Sequence, residues 1–161
     1  MSPVSTDRIT GRALVEDVLF GRLVHRVVRD QDMEPQLAER VVDQALAFLG
    51  ACAANPGARL SPSRLVDHGW HTFLMYTREY AGFCDRVAGR FLHHNPQDGD
   101  SPVKGADITA TVAALAKVGY QVDTELWAMS AECSEGSGGD GSDSSGSGNC
   151  SQCHQGCHNS N

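Results

Sequence analysis

Apolar residues recur at helical spacing along most of the chain up to about residue 118. They predict one amphipathic helix from Thr10 to about Arg29. A second helix begins near Glu34–Pro35, because proline suits a first turn, and ends at Asn55-Pro56-Gly57. The expected inward residues are Leu14, Val18, Leu19, Leu23 and Val27 in the first helix, and Leu37, Val41, Ala45, Phe48, Leu49 and Cys52 in the second.

Two further helices are predicted between residues 61 and 89. Ser61 is the expected N-cap of a helix that runs from Pro62 to about Met75. Thr77 is the expected cap of the next helix, which Gly89 ends. The expected inward residues are Val66, Trp70, Phe73 and Leu74 in the first of these, and Tyr80, Phe83, Cys84 and Val87 in the second.

A last helix is predicted from about Asp107 to Val118, followed by a short segment around residues 124–129. The stretch 90–96 is expected to form a turn or an extended connection, and no alternation typical of strands occurs anywhere. The pattern therefore predicts an all-α fold, a compact bundle of about five helices.

Composition changes after Met129 and divides the chain into three parts. Residues 1–133 are predicted to form the helical domain, 134–149 a flexible Gly/Ser/Asp linker, and 150–161 a Cys/His-rich tail. The linker has no apolar side chain that would offset the entropy of ordering it. The end of the chain is therefore expected to be a disordered Gly/Ser-rich tail.

Charge and hydropathy exclude some classes of partner. The net charge of −7 disfavours nucleic acid, whose phosphates require a basic face. No stretch approaches the ~18 apolar residues of a membrane span, and the N-terminus has no signal-peptide pattern. We therefore expect a soluble cytoplasmic protein, in which the six cysteines are thiols or metal ligands instead of disulfides.

A cluster of polar residues between 67 and 94 is the first candidate site. Asp67 and His71 are four residues apart and share a helix face. If the helices pack as a hairpin, Cys84 and either His93 or His94 could join them, which gives ligand types that zinc prefers. The alternative is structural: Cys84 as a buried core thiol, and Asp67 and His71 hydrogen-bonded to each other.

These residues also resemble a known family. The pattern Asp-x2-Trp-His, Tyr-x3-Cys and a later histidine is similar to that of the glycine-rich domain-containing protein-like family, over about residues 35–96. The resemblance implies a short bacterial member, a site that includes His71, Cys84 and His94, and, from plant members, links to growth and stress responses. Many plant members read Trp-His-x-His, whereas residue 73 here is Phe, so one potential ligand is missing. The resemblance implies no reaction.

The tail is the second candidate site. Cys150 and Cys153 form a two-thiolate chelate, Cys157 and His158 add two ligands, and His154 is a fifth candidate. Three cysteines and one histidine are a known zinc set, and soft thiolates also suit Cu(I). Cys150–His154 matches the haem c attachment motif as well, but haem attachment requires export and an apolar pocket, which the sequence does not provide.

The sequence thus predicts a non-enzymatic protein, without catalytic residues, that binds a transition metal, with zinc favoured. It does so through the tail and through Asp67, His71, Cys84 and His94. Two alternatives stay open: a precursor whose Cys-rich tail is modified by partner enzymes, and a metal-free domain that binds a protein partner.

Overall fold

The computed structural model of the chain describes residues 7–95 and 105–128. Within these residues it contains six α-helices, one 3-10 helix and no β-strand. The elements are the 3-10 helix Gly11–Leu14, α1 (Asp17–Gln31), α2 (Pro35–Ala54), α3 (Arg64–Met75), α4 (Thr77–Val87), α5 (Gly105–Val118) and α6 (Thr124–Ala128). The all-α prediction is confirmed, with α6 as an additional short helix.

Helix α2 is the centre of the fold. It contacts the 3-10 helix, α1, α3 and α5, and all its side chains from Gln44 to Ala51 are buried. A helix that is surrounded on every side has an apolar surface all round, whereas α1 and α4 are apolar on one side only. The core therefore lies around the second half of α2.

Helix α3 packs very closely against α2, and Gly69 makes this approach possible. A Cβ atom at position 69 would lie 2.7 Å from the Cβ of Ala45 and 3.1 Å from the carbonyl oxygen of Val41. The face of α3 that contains Gly69 therefore packs directly on α2, and no larger residue fits at this position. Asp67 and His71 are thereby placed towards the edge of this interface, where both are only partly buried.

The start of α3 differs from the prediction. The N-cap is Ser63, whose side chain accepts a hydrogen bond from the backbone N–H of Val66 at 3.2 Å, so the predicted cap at Ser61 is wrong. Ser61 instead exchanges hydrogen bonds through its backbone with the hydroxyl of Thr111. The predicted cap at Thr77 is also wrong, because Thr77 is the first residue of α4 and its side chain is exposed.

The predicted first helix is divided into two elements. The backbone is extended at Val15 and Glu16, between the 3-10 helix and α1. The helical phase therefore restarts at Asp17, and the buried residues of α1 are Phe20, Leu23 and Val27. The predicted inward position of Val18 is wrong, since this residue is 75% exposed.

Helix α4 ends as predicted at Gly89, which has a φ of 65°. This left-handed conformation is easy for glycine and ends the helix. The chain then continues through residues 91–95 without regular secondary structure. This segment lies beside α3 and α4 and supplies one residue of the candidate site.

The end of the described chain is attached to α2 by one buried glutamine. The side chain of Gln44 accepts hydrogen bonds from the indole of Trp127 at 2.8 Å and from the backbone N–H of Asp123 at 3.0 Å. It also donates to the carbonyl of Gln121 at 2.9 Å. On the surface beside it, the guanidinium of Arg40 pairs with the carboxylate of Asp123 through two contacts of 2.6 and 2.9 Å.

The two ends of the described chain meet in an isolated parallel bridge between Ile9 and Tyr120. The N–H of Ile9 donates to the carbonyl of Gly119, and the N–H of Gln121 donates to the carbonyl of Ile9, both at 2.9 Å. Within the described part of the chain, none of the helices has the length and apolarity that crossing a bilayer requires. The predicted linker 134–149 and tail 150–161 lie outside the described residues, so the division into three parts stays a prediction.

Candidate metal site

Asp67 and His71 form the helical half of the candidate site. They lie one turn apart on α3, and Oδ2 of Asp67 is 3.4 Å from Nε2 of His71. Residues at this spacing are neighbours on a helix surface, so the pairing follows directly from the sequence. The side chain of Asp67 is 24% exposed and that of His71 is 37% exposed, and solvent therefore reaches both.

His94 completes the site from outside the helices. Its Nε2 atom lies 2.9 Å from Oδ1 of Asp67, so one carboxylate contacts both imidazoles. The ring of His94 is 4.4 Å from the ring of His71 and 4.4 Å from that of Trp70, measured between centroids. His94 is thus held against the buried indole on one side and the second histidine on another.

Two buried hydrogen bonds fix the segment that contains His94. The indole N–H of Trp70 donates to the hydroxyl of Tyr80 at 3.0 Å, and this hydroxyl donates in turn to the carbonyl of Leu92. The three residues are buried, and burial raises the pKa of Tyr80, so its hydroxyl stays protonated as the donor. α3 and α4 therefore hold residue 92 at a defined place, two residues before the imidazole.

The electrostatics of the site favour a neutral imidazole at His71. Burial lowers its pKa, the Asp67 carboxylate opposes this shift, and His94 adds to it. Burial also lowers the pKa of the neighbouring His68. Because a metal ion binds imidazole only in its neutral form, a lowered pKa makes a ring ready for coordination near neutral pH.

The three side chains bring potential ligand atoms to one place. One carboxylate oxygen of Asp67 and one ring nitrogen each of His71 and His94 all lie within 4.8 Å of one another. We call this group the Asp–His–His cluster. Two imidazoles and a carboxylate are the ligand types that Zn²⁺ and several other first-row divalent ions take in proteins.

The structure brings some of the predicted ligands of the helical domain together and leaves others apart. Asp67, His71 and His94 come together, and of the two neighbouring histidines it is His94 that joins while His93 is exposed beside Phe91. Cys84 is not brought into the cluster. Its thiol is fully buried in the hydrophobic core, because its position on the apolar stripe of α4 turns it inward.

The other predicted ligands lie outside the described residues. They are the five residues of the tail, Cys150, Cys153, His154, Cys157 and His158, and their role stays a prediction. Phe73, at the position where many plant relatives of the resembled family have a second histidine, is buried and packs edge-on against Tyr80.

Sequence reasoning missed the part that Tyr80 plays. Its position predicted a core aromatic, and its ring is indeed buried. Its hydroxyl, however, links Trp70 to Leu92 and so orients the approach to His94. A general rule could have indicated this role. A buried tyrosine hydroxyl normally has a hydrogen-bond partner, and the segment beyond α4 could supply one.

The sequence model of the UCP032817-like family matches residues 12–106, more than half of the chain and including the whole Asp–His–His cluster. No curated protein and no solved structure matches the chain.

Proposed function

We propose that this chain, which belongs to the UCP032817-like family, binds a divalent transition metal ion, with zinc preferred, through Asp67, His71 and His94. The observation that carries the proposal is the convergence of three ligand atoms from two separate chain segments within 4.8 Å. One carboxylate between two imidazoles satisfies the ligand chemistry of zinc without any thiolate.

The surroundings of the cluster support a metal more than a simple salt bridge. The buried link from Trp70 through Tyr80 to Leu92 orients the segment of His94, as groups behind metal ligands commonly do. A lowered pKa keeps His71 neutral near pH 7, which weakens a charged pairing with Asp67 and favours coordination. The same carboxylate is hydrogen-bonded to His94 and lies 3.4 Å from Nε2 of His71.

The tail adds a second proposed site, which rests on its sequence alone. Cys150, Cys153, Cys157 and His158 can surround one ion within nine residues, with His154 as a further donor. This soft donor set suits zinc or Cu(I), whereas the nitrogen and oxygen donors of the Asp–His–His cluster do not favour Cu(I). The two proposed sites would therefore differ in which metals they prefer.

A second candidate function, of a different class, is supported by a separate observation. The Ser/Gly/Asp composition of residues 134–149 followed by three closely spaced cysteines also fits a precursor peptide whose end is modified by partner enzymes. In that case the helical domain would serve as the part that such enzymes, or another protein partner, recognise. Kinship with the glycine-rich domain-containing protein-like family and a cytoplasmic location likewise stay predictions.

The test of the body site is a zinc titration of the full chain in which Cys150, Cys153 and Cys157 are replaced by serine. We expect one bound zinc per chain, lost in Asp67→Asn, His71→Ala and His94→Ala. The loss of affinity should exceed the roughly 10–100-fold that removal of a merely orienting group costs. His93→Gln is the matched control, because it removes an exposed neighbouring imidazole that lies outside the cluster.

Circular dichroism and the urea midpoint would verify that each variant is folded. Zinc affinity that is unchanged in folded Asp67→Asn and His94→Ala would refute the body site. Zinc affinity that falls equally in His93→Gln would refute the assignment to His94.

A further inference from the structure

We infer that a metal ion in the Asp–His–His cluster keeps at least one coordination position open to solvent and takes a small anion there as an exogenous ligand. This inference rests on the proposed function. It adds that the site is not a closed structural site, which would have four protein ligands, but one with three protein ligands and an exchangeable fourth.

The described residues bring three protein donors to the metal ion. Within the described residues, the group of ligand atoms that come together contains Asp67, His71 and His94 and no fourth histidine, cysteine, aspartate or glutamate. The other two ligands that the sequence offered for this site are placed elsewhere: Cys84 is sealed in the core, and His93 is exposed beside Phe91. A tetrahedral zinc ion with these three ligands lacks one.

A further ligand can approach the cluster from its outer, solvent-facing side. The indole of Trp70 is only 7% exposed and lies against the ring of His94, so the inner side of the cluster is closed by an apolar wall. On the outer side the exposed fractions are 17% for His94, 24% for Asp67 and 37% for His71. A fourth ligand would therefore arrive from solvent, past His71.

The charge of the site also favours an anionic ligand. A divalent ion held by the single carboxylate of Asp67 and two neutral imidazoles retains one net positive charge. In a partly buried site this charge is weakly screened and attracts an anion, or a water that ionises readily. An anionic ligand completes both the coordination and the charge balance, and it does so by replacing a bound water without any redox change.

The experiment uses full-length chain with Cys150, Cys153 and Cys157 replaced by serine, loaded with Co(II) as a spectroscopic substitute for zinc. Azide is the probe anion, and perchlorate at the same ionic strength is the non-coordinating control. We expect azide to change the visible Co(II) absorption in a saturable manner while perchlorate leaves it unchanged. The folded variants Asp67→Asn and His94→Ala should show neither the Co(II) spectrum nor the response.

The outcomes separate this inference from the proposed function. If Co(II) binds, its spectrum depends on Asp67 and His94, and azide leaves it unchanged, the open position is refuted while the metal site stands. If Co(II) gives no spectrum that depends on these residues, the proposed function fails and the inference fails with it. A response equal in perchlorate and azide would be a salt effect and would also refute the open position.

Discussion

Nε2 of His94 lies 2.9 Å from Oδ1 of Asp67, although 27 residues separate them in the sequence. Helix α4 lies between the two residues in the sequence: it begins just after α3 ends at Met75, and it ends before the segment that contains His94. The contact depends on every element between the two residues. A property that is measured at the imidazole therefore also reports how well the α3–α4 hairpin is formed.

The Tyr80 hydroxyl should matter for both stability and metal binding. In Tyr80→Phe the indole N–H of Trp70 and the carbonyl of Leu92 lose their buried partner, which should cost about 1–3 kcal/mol. Zinc affinity should fall about 10–100-fold, since the approach to His94 is less well oriented. Isothermal titration and urea unfolding measure the two effects. Tyr76→Phe is the control, because Tyr76 stacks on Arg22 and takes part in neither hydrogen bond of the link from Trp70 to Leu92.

Trp70 should be an anchor of the core. Trp70→Ala removes a side chain that is 7% exposed and packs on Phe48, and it should lower the free energy of unfolding by about 3–5 kcal/mol. Trp70→Phe keeps most of the packing and should cost clearly less. Urea unfolding of the two variants compares these effects. A midpoint in Trp70→Ala equal to that of the parent chain would contradict the inward face of α3.

Stability should decrease as the pH falls through the normal range of histidine titration. Burial lowers the pKa of His68 and His71 in the folded chain, so below about 6.5 the unfolded chain binds more protons than the folded one. Acid therefore favours unfolding until both states are protonated. Urea midpoints measured without metal between about pH 8 and pH 5 follow the effect. The double variant His68→Gln/His71→Gln should have a flatter profile, and an unchanged slope would assign the effect to other groups.

Gln44 should hold the end of the helical domain in place. Gln44→Leu leaves the indole N–H of Trp127, the N–H of Asp123 and the carbonyl of Gln121 without their partner. The indole N–H of Trp127 is buried and costs about 1–3 kcal/mol when left unpaired, whereas the two partly buried backbone groups cost less. We expect a large fall in the urea midpoint and faster hydrogen exchange in α6. Gln36→Leu, on an exposed position of the same helix, should change neither property.

Removal of residues 134–161 should leave the helical domain intact. The segment 134–149 contains no apolar side chain, so its loss takes nothing from the core. Circular dichroism and the thermal midpoint should be nearly unchanged. The Co(II)-loaded full chain should show thiolate charge-transfer bands that the shortened chain lacks, because the three tail cysteines are gone. Bands of full strength in the shortened chain would assign the thiolate to one of the three cysteines that remain, Cys52, Cys84 or Cys133, and refute the tail site.

The sequence predicted helical elements well, because their apolar period is strong. The limits of α2 and the end of α4 were correct, since Pro35 and Gly89 act locally on the backbone. The inward prediction for Val18 assumes that the first helix is continuous. The extended residues between the 3-10 helix and α1 change the helical phase, and no local residue signals this break.

The sequence predicts the cluster only in part, because helical spacing determines some of its contacts and tertiary packing determines the others. The pairing of Asp67 with His71 follows from helical spacing, whereas the choice between His93 and His94 depends on how residues 91–95 lie across α3. The hydroxyl of Tyr80 donates to the carbonyl of Leu92, just before these two histidines, and this is a tertiary contact that no spacing rule contains. The thiol of Cys84 is chemically suited to bind a metal, but Cys84 lies on the hydrophobic stripe of α4 and is therefore buried in the core.

The bridge between Ile9 and Tyr120 joins residues from opposite ends of the described chain. Closing so long a loop costs entropy. Two backbone hydrogen bonds do not offset this cost until the intervening helices have packed together. This pairing should therefore form after the rate-limiting step of folding. Ile9→Pro, which removes the N–H that donates to Gly119, should then accelerate unfolding and leave the refolding rate nearly constant, so the contact acts as a late closure that lengthens the lifetime of the native state.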